Sequence, residues 1–332
     1  RVRLDDDNGM YVAVRRYAAD YSGYYGRISG AHLYRGQESS LVFNKEPRGR
    51  EVKKLIVNAD DFGRRPLINQ AVAEAVDKKG LLSASLMAGE SYFAEAVDIA
   101  QKRPQLGVGV HLTLVDGVPV LPAEKIPTLA VHEGRFLPDH GAFVKAYVQG
   151  KIARRDIERE LAAQLDKVIG AGLVPTHVDS HQHMHMLPGI FPLALKLAAE
   201  RGIKRVRISR GIYGNPFTPW PGIGDLVGKF GLETLSCIDR RQAKAQGFAC
   251  PDNFVGQVAG GAVTAEFMKE LAEKFAAGSV EVMLHPGLEN EPLIRETGWQ
   301  HDYEAEFHAV CDADVQEKLS RKGIVLSNFA DL

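Results

Sequence analysis

The sequence predicts an α/β fold built on parallel strands, a (β/α) barrel of the TIM type in preference to a doubly wound open sheet. Three observations carry this expectation. From Glu51 onward, apolar runs of strand length alternate with amphipathic runs of helix length, about seven times in one chain. Polar, chemistry-bearing residues stand where many of the apolar runs end, and in a barrel those carboxyl ends converge on one mouth. The 332 residues, 45% hydrophobic and 25% charged, supply enough apolar surface for one large barrel or two medium domains.

Each unit is legible from its period. "KKLIVNADD" is an apolar strand with a polar end, and "LINQAVAEAVDKKG" follows at helical spacing up to Gly80. "LLSASLMAG" precedes the helix in "SYFAEAVDIAQKRP", and "LGVGVHLTL" reads as the third strand. The amphipathic "ARRDIERELAAQLDKVIGAG" leads to the strand "VPTHVDSHQH", then to the helix "GIFPLALKLAAERG" and the strand "IKRVRISR". "TAEFMKELAEKFAAG" before "SVEVMLHPG", and "DVQEKLSRKG" before "IVLSNFADL", complete the series. Two Pro-rich stretches, 115–150 and 211–245, break the rhythm and read as functional loops above the mouth.

Residues 1–50 differ from the rest. They hold six of the ten tyrosines and no sustained apolar period, so the domain division is an N-terminal extension over 1–50 and a barrel over 51–332. A formal net charge of -1 gives no footprint for nucleic acid. Cys237, Cys250 and Cys311 form no C-x-x-C pair, so a disulfide framework and a thiolate metal site are both disfavoured, and a reducing, cytoplasmic location is expected. No apolar run reaches membrane-spanning length, and Arg15 and Arg16 lack the apolar segment of an export signal. A homodimer is compatible with the sequence.

Four places can carry chemistry. Asp60 and Asp61 in "NADDFG" end the first strand and are expected to point in different directions, one to ligate and one to act as base; the alternative use of such a pair is an Asx turn or helix cap. His111 ends "GVGVHLTL", where small residues allow close packing inside a barrel. "THVDSHQHMHM" holds four histidines and an aspartate; read as a strand, it places His177, Asp179, His181, His183 and His185 on one side. His285 ends "VEVMLHPG" and can protonate a leaving group from across the mouth. Such a set suits a divalent cation that takes imidazole and carboxylate and leaves a position for water, hence metal-assisted hydrolysis. Not every histidine of the run fits around one ion, so some must orient the others.

In this order, "LIVNADDFG", "GVGVHLTL", "THVDSHQHMHMLPGIFP" and "LHPG" resemble the YdjC-like (ChbG-type) carbohydrate deacetylases, over about residues 52–330. The resemblance implies a distorted β/α barrel and removal of acetyl groups from N-acetylated sugars. It implies one divalent ion held by Asp61, His111 and His181, zinc first, with magnesium or another divalent ion open. It also implies Asp60 as general base and His285 as acid. The segment "GWQHDYEAEF" is similar to the branch associated with hopanoid biosynthesis, where the substrate is a glycolipid; free N-acetylglucosamine oligosaccharides remain open. His183, His185, Tyr213, Trp220 and Trp299 are candidates for orienting ligands or stacking on a sugar ring. Two alternatives compete: a barrel phosphoesterase, which would want two metals and bridging carboxylates, and a sugar- or metal-binding module without turnover.

Overall fold

The structure is a computed structural model that describes residues 52–131, 133–209, 235–256 and 263–332. The Tyr-rich segment 1–50, Tyr213 and Trp220 lie outside the described residues. The strand β1 (Lys53–Phe62) is buried from Leu55 to Phe62, as a central strand covered on both faces must be. Along one edge it pairs in parallel with β6 (Ser279–Leu284). Along the other it takes β7 (Ile324–Ser327) over its first half and β2 (Ser83–Leu86) over its second. With β3 (Gly107–Leu112), β4 (Val178–Ser180) and β5 (Asn253–Val255), the seven strands run in the order β4-β3-β2-β1-β6-β5, with β7 beside β1, and every pairing is parallel.

The sheet curls round on itself. Single bridges, Val178 to Val206 and Arg205 to Ala249, continue from β4 toward the chain that leads into β5. The strand expected at "IKRVRISR" is reduced to those bridges, and β4 and β5 have three residues each. This thin side makes the barrel a distorted one.

Helices cover the outside. Pro66 starts α1 (Pro66–Asp77), where its missing N–H costs nothing, and Ile68, Ala71, Val72, Ala75 and Val76 turn inward. Burial of each large apolar side chain on such a face contributes roughly 1.5–3 kcal/mol. The others are α2 (Phe93–Gln101), α3 (His140–Val148), α4 (Arg154–Gly170), α5 (Ile190–Glu200), α6 (residues 235–245), α7 (Ala265–Lys274), α8 (Asn290–Thr297), α9 (Tyr303–Cys311) and α10 (Ala313–Arg321). No described helix is long and apolar enough to cross a membrane.

The stretch after β3, expected as a loop, contains α3 and is fastened from below. On α4 the buried polar row Asp156, Glu160 and Gln164, spaced one turn apart, accepts the backbone N–H groups of Thr128, Val120 with Leu121, and Thr113 at 2.7 to 3.0 Å. A loop tied at four points along its length holds its residues at the mouth in place.

Inside the barrel the small residues of "GVGV" have a specific use. A Cβ on Gly109 would lie 2.3 Å from the His177 ring, whose other face stacks on Phe329 at 3.6 Å between centroids. The ring has nowhere to retreat. Gly109→Ala is therefore expected to destabilise the fold by about 1–3 kcal/mol. Differential scanning calorimetry should show Tm falling by about 2–4 °C for each kcal/mol; an unchanged Tm would mean that this layer is not tightly packed.

Candidate active site

The site begins with an irregularity in β1. Its register against β2 shifts between Ala59 and Phe62, and Asp61 adopts a left-handed backbone with φ of 61°. The kink cancels the alternation expected of neighbouring strand residues. Asp60 and Asp61 do not diverge: Oδ2 of Asp60 lies 3.9 Å, and Oδ1 of Asp61 3.5 Å, from the same His111 Nε2. Both carboxylates serve one pocket, where alternation would have sent one away.

The histidine run is also rebuilt. β4 stops at Ser180, and residues His181–Met186 form a tight 3₁₀ turn in which Gln182 and His183 carry positive φ values of 51° and 56°. The strand-like alternation therefore holds for His177 and Asp179 and fails beyond them. The turn brings His181 to β1, with its Nδ1 at 2.9 Å from Asp61 Oδ1. Asp61, His111 and His181 thus offer one ligand atom each, all within 4.8 Å of one another and all buried. Asp61 Oδ1 has no hydrogen-bond partner although two imidazole nitrogens face it. One carboxylate oxygen and two ring nitrogens converging on a common point match the donor set of a divalent cation.

Charge shapes these groups. Burial pushes the Asp61 carboxyl up, but the His181 and Arg64 charges outweigh it and hold the group well below its usual range. Arg64 reaches it with an Nη1 to Oδ2 contact of 2.8 Å. His111 is depressed by burial, yet the carboxylates of Asp179 and Asp60 lift it to about 10. Its Nδ1 donates to Asp179 Oδ1 at 2.9 Å, which leaves Nε2 aimed at Asp61.

Arg207, absent from the residues singled out by sequence, sits at the centre of the charge network. Its guanidinium grips both oxygens of Asp60 at 2.7 Å, reaches Asp179 Oδ2 at 2.8 Å and, through Nε, Glu281 Oε1 at 2.7 Å, all fully buried. Burial raises Glu281 to about 8, against the pull of Arg207. A second acidic grouping, Asp60 with His111 and Asp179, is geometrically close enough to hold an ion, but this guanidinium already neutralises it.

The remaining expected residues divide. His285 donates its backbone N–H to Glu306 at 2.6 Å, its buried Nδ1 has no hydrogen-bond partner, and its ring packs edge-on against His301 at 4.7 Å. Burial depresses its pKa, with Asp61 and Asp60 pulling the other way. His183 shares a hydrogen bond with Ser209 Oγ at 3.0 Å. His185 faces away from the donor triad: its Nε2 donates to the Arg207 carbonyl at 3.0 Å, and its Nδ1 accepts from Ser180 Oγ at 2.6 Å. Trp299 is at the rim, its ring 5.8 Å from His181, with its indole N–H given to Asp116 Oδ2 at 2.9 Å. Arg64, Asp116, Arg207, Glu281 and His301 were missed by sequence reading. Of these, Arg207 and Glu281 left a trace there, each as a charge inside an apolar run, and His301 stands in "GWQHDYEAEF".

A family profile described as YdjC-like protein matches residues 54–321. The chain belongs to the YdjC-like family. Among YdjC-like relatives, a carbohydrate deacetylase of Brevibacillus brevis is 32% identical over 280 residues, covering 84% of this chain and 99% of that protein. A carbohydrate deacetylase of Geobacillus stearothermophilus is 30% identical and covers 83% of this chain and 96% of its own. A crystal structure from Enterococcus faecalis V583, of a protein linked to cellobiose-phosphate cleavage, superposes with a TM-score of 0.65 at 26% identity, over 84% of this chain and 98% of that one.

Two expectations follow for the YdjC-like site. Arg207→Met leaves the buried Asp60 and Asp179 carboxylates without their cation and Glu281 without its partner, and should lower stability by about 3–5 kcal/mol in urea unfolding; a loss below 1 kcal/mol would show that the network relaxes without it. His177 and His185 are held neutral by burial, at about 3 and about 4. Because these folded values lie below the unfolded one, their contribution is complete above pH 6.5 and is lost as pH falls toward 4 and 3. Unfolding free energy should therefore fall on acidification from pH 6.5, and His185→Gln should flatten that slope; an equal slope in the variant would remove His185 from the account.

Proposed function

We propose that this YdjC-like protein is a metal-dependent hydrolase that removes the acetyl group from an N-acetylated sugar, releasing a free amine and acetate. The observation that carries the reading is the convergence of Asp61 Oδ1, His111 Nε2 and His181 Nδ1 beside a further carboxylate, Asp60. The deacetylase relatives, matched over nearly their whole length, supply the substrate class.

Asp61, His111 and His181 would hold one divalent ion, zinc by the character of the donors, with magnesium or another ion as the alternative. Bound there, it supplies Lewis-acid polarisation of the acetamide and a more acidic water. Asp60, fixed by the fork of Arg207, accepts a proton from water as the oxygen attacks the carbonyl carbon. The C–N bond breaks with the electron pair going to nitrogen. His285, when it carries the imidazolium proton, gives that proton to the nitrogen, and the proton that Asp60 took from water replaces it. Buried, pre-oriented groups need little rearrangement during the reaction.

A two-metal phosphoesterase is disfavoured, because the carboxylates that would bridge a second ion, Asp60 and Asp179, are both engaged by Arg207. A module without turnover would have no use for Asp60 beside the ligands. Acetate release should be measured on free and lipid-linked N-acetylglucosamine substrates, with and without chelator. Chelation is expected to abolish it. Asp60→Asn is expected to lower kcat by about 10²- to 10⁴-fold while leaving one metal ion per chain. Near-full turnover in that variant would reject Asp60 as the base, and turnover in chelator would reject the metal.

A further inference from the structure

We propose that Asp116 sets the tautomer of His181 and thereby decides that this imidazole presents Nδ1 to a bound cation; the inference rests on the metal-dependent reading above. The two histidines of the donor triad are oriented in opposite senses. On His111, Asp179 takes Nδ1 at 2.9 Å and leaves Nε2 for the common point. On His181, Nδ1 faces Asp61 at 2.9 Å, while Nε2 lies 3.3 Å from Asp116 Oδ2.

A neutral imidazole carries one proton, and His181 has two places for it. Placed on Nδ1, the proton would close that nitrogen to a cation. Placed on Nε2, it is accepted by Asp116 and leaves the Nδ1 lone pair open. The neighbours of Nε2 compete over this choice. Arg64 Nη1, a donor, stands 3.5 Å from Nε2 and by itself would favour the unprotonated nitrogen there. Asp116, which as a carboxylate can only accept, favours the protonated one. Asp61 Oδ1 has no hydrogen-bond partner although Nδ1 is 2.9 Å away, so the in-plane direction of that nitrogen passes beside the oxygen rather than at it.

Asp116 is itself held in position. Its Oδ2 accepts from Arg64 Nη2 at 2.8 Å and from Trp299 Nε1 at 2.9 Å, and its backbone has a left-handed φ of 48°. The segments following β1, β3 and β6 therefore meet on one oxygen beside His181. Asp116 is a positioning residue: it acts through the imidazole and touches no reacting atom.

The experiment compares zinc affinity, by calorimetry with a competing chelator, in the wild-type protein, Asp116→Asn and Trp299→Phe. Asparagine tolerates the same left-handed backbone, but its amide can donate to Nε2 and so loses the selection. Asp116→Asn is expected to bind zinc about 10- to 100-fold more weakly, with Tm nearly unchanged. Trp299→Phe removes one donor from Asp116 while keeping an aromatic ring beside His181, and is expected to stay within about 3-fold of wild type, far below the loss expected for a ring-orienting partner. Equal affinity in Asp116→Asn, or an equal loss in Trp299→Phe, would overturn the proposal; the second outcome would make Asp116 a strap between segments. In zinc-loaded wild type, nitrogen-15 spectra should show His181 protonated at Nε2 and ligated through Nδ1, and ligation through Nε2 would also overturn it. A wild-type protein that takes up no zinc or other divalent ion would defeat the metal-dependent reading itself, a result distinguishable from all of these.

Discussion

The buried guanidinium of Arg207 is the interaction on which the rest of the site depends. Three acidic side chains, Asp60, Asp179 and Glu281, come from three different strands and meet almost wholly buried inside the barrel. Left alone they would repel one another and swell the mouth or take up protons. One delocalised cation, unable to lose its own proton, joins them and fixes their orientation. Asp179 can then orient His111, and Asp60 can stand beside the donor triad without entering it.

A second constraint is local and concerns the backbone. Strand geometry sends neighbouring side chains to opposite faces, yet this site uses two adjacent aspartates on one side. The register shift in β1 and the left-handed Asp61 resolve the conflict at a cost on the order of 1–3 kcal/mol for such strain. The same device recurs at Gln182 and His183, where consecutive left-handed residues swing His181 back toward β1. In both places the strained residues adjoin the ones that converge. Elsewhere β1 pairs regularly, with an unbroken register against β6 from Lys54 to Ala59.

Much of the architecture was legible in the sequence because it is written in local periods. The apolar runs of β1, β3 and β6 and the amphipathic α4 and α10 follow from spacing alone, and the crowding of imidazole after β4 pointed to the mouth. What stayed hidden is non-local. Arg207 and Asp60 are 147 positions apart, and nothing near either one announces the partner. Asp116 reads as an ordinary turn residue before Gly117, and its three donors come from distant segments. The reversal of the two imidazoles depends on which nitrogen each neighbour occupies, and residue type does not encode that. Helix α3 was masked by the prolines around it, and "IKRVRISR" has strand chemistry but finds only single-residue pairing on the thin side of the barrel.

The polar row on α4 has a consequence for how this scaffold can change. Asp156, Glu160 and Gln164 clasp the chain at Thr113, Val120, Leu121 and Thr128, so the stretch carrying Asp116 is secured at both ends before the chain continues toward α3. Insertions or deletions between Ala130 and Phe136 would leave those clasps in place, together with the Leu137 carbonyl that accepts the Asp116 N–H at 2.8 Å. The outer part of the rim can therefore be rewritten for a different cargo while the geometry beneath it stays constant, a division between a fixed foundation and an exchangeable façade.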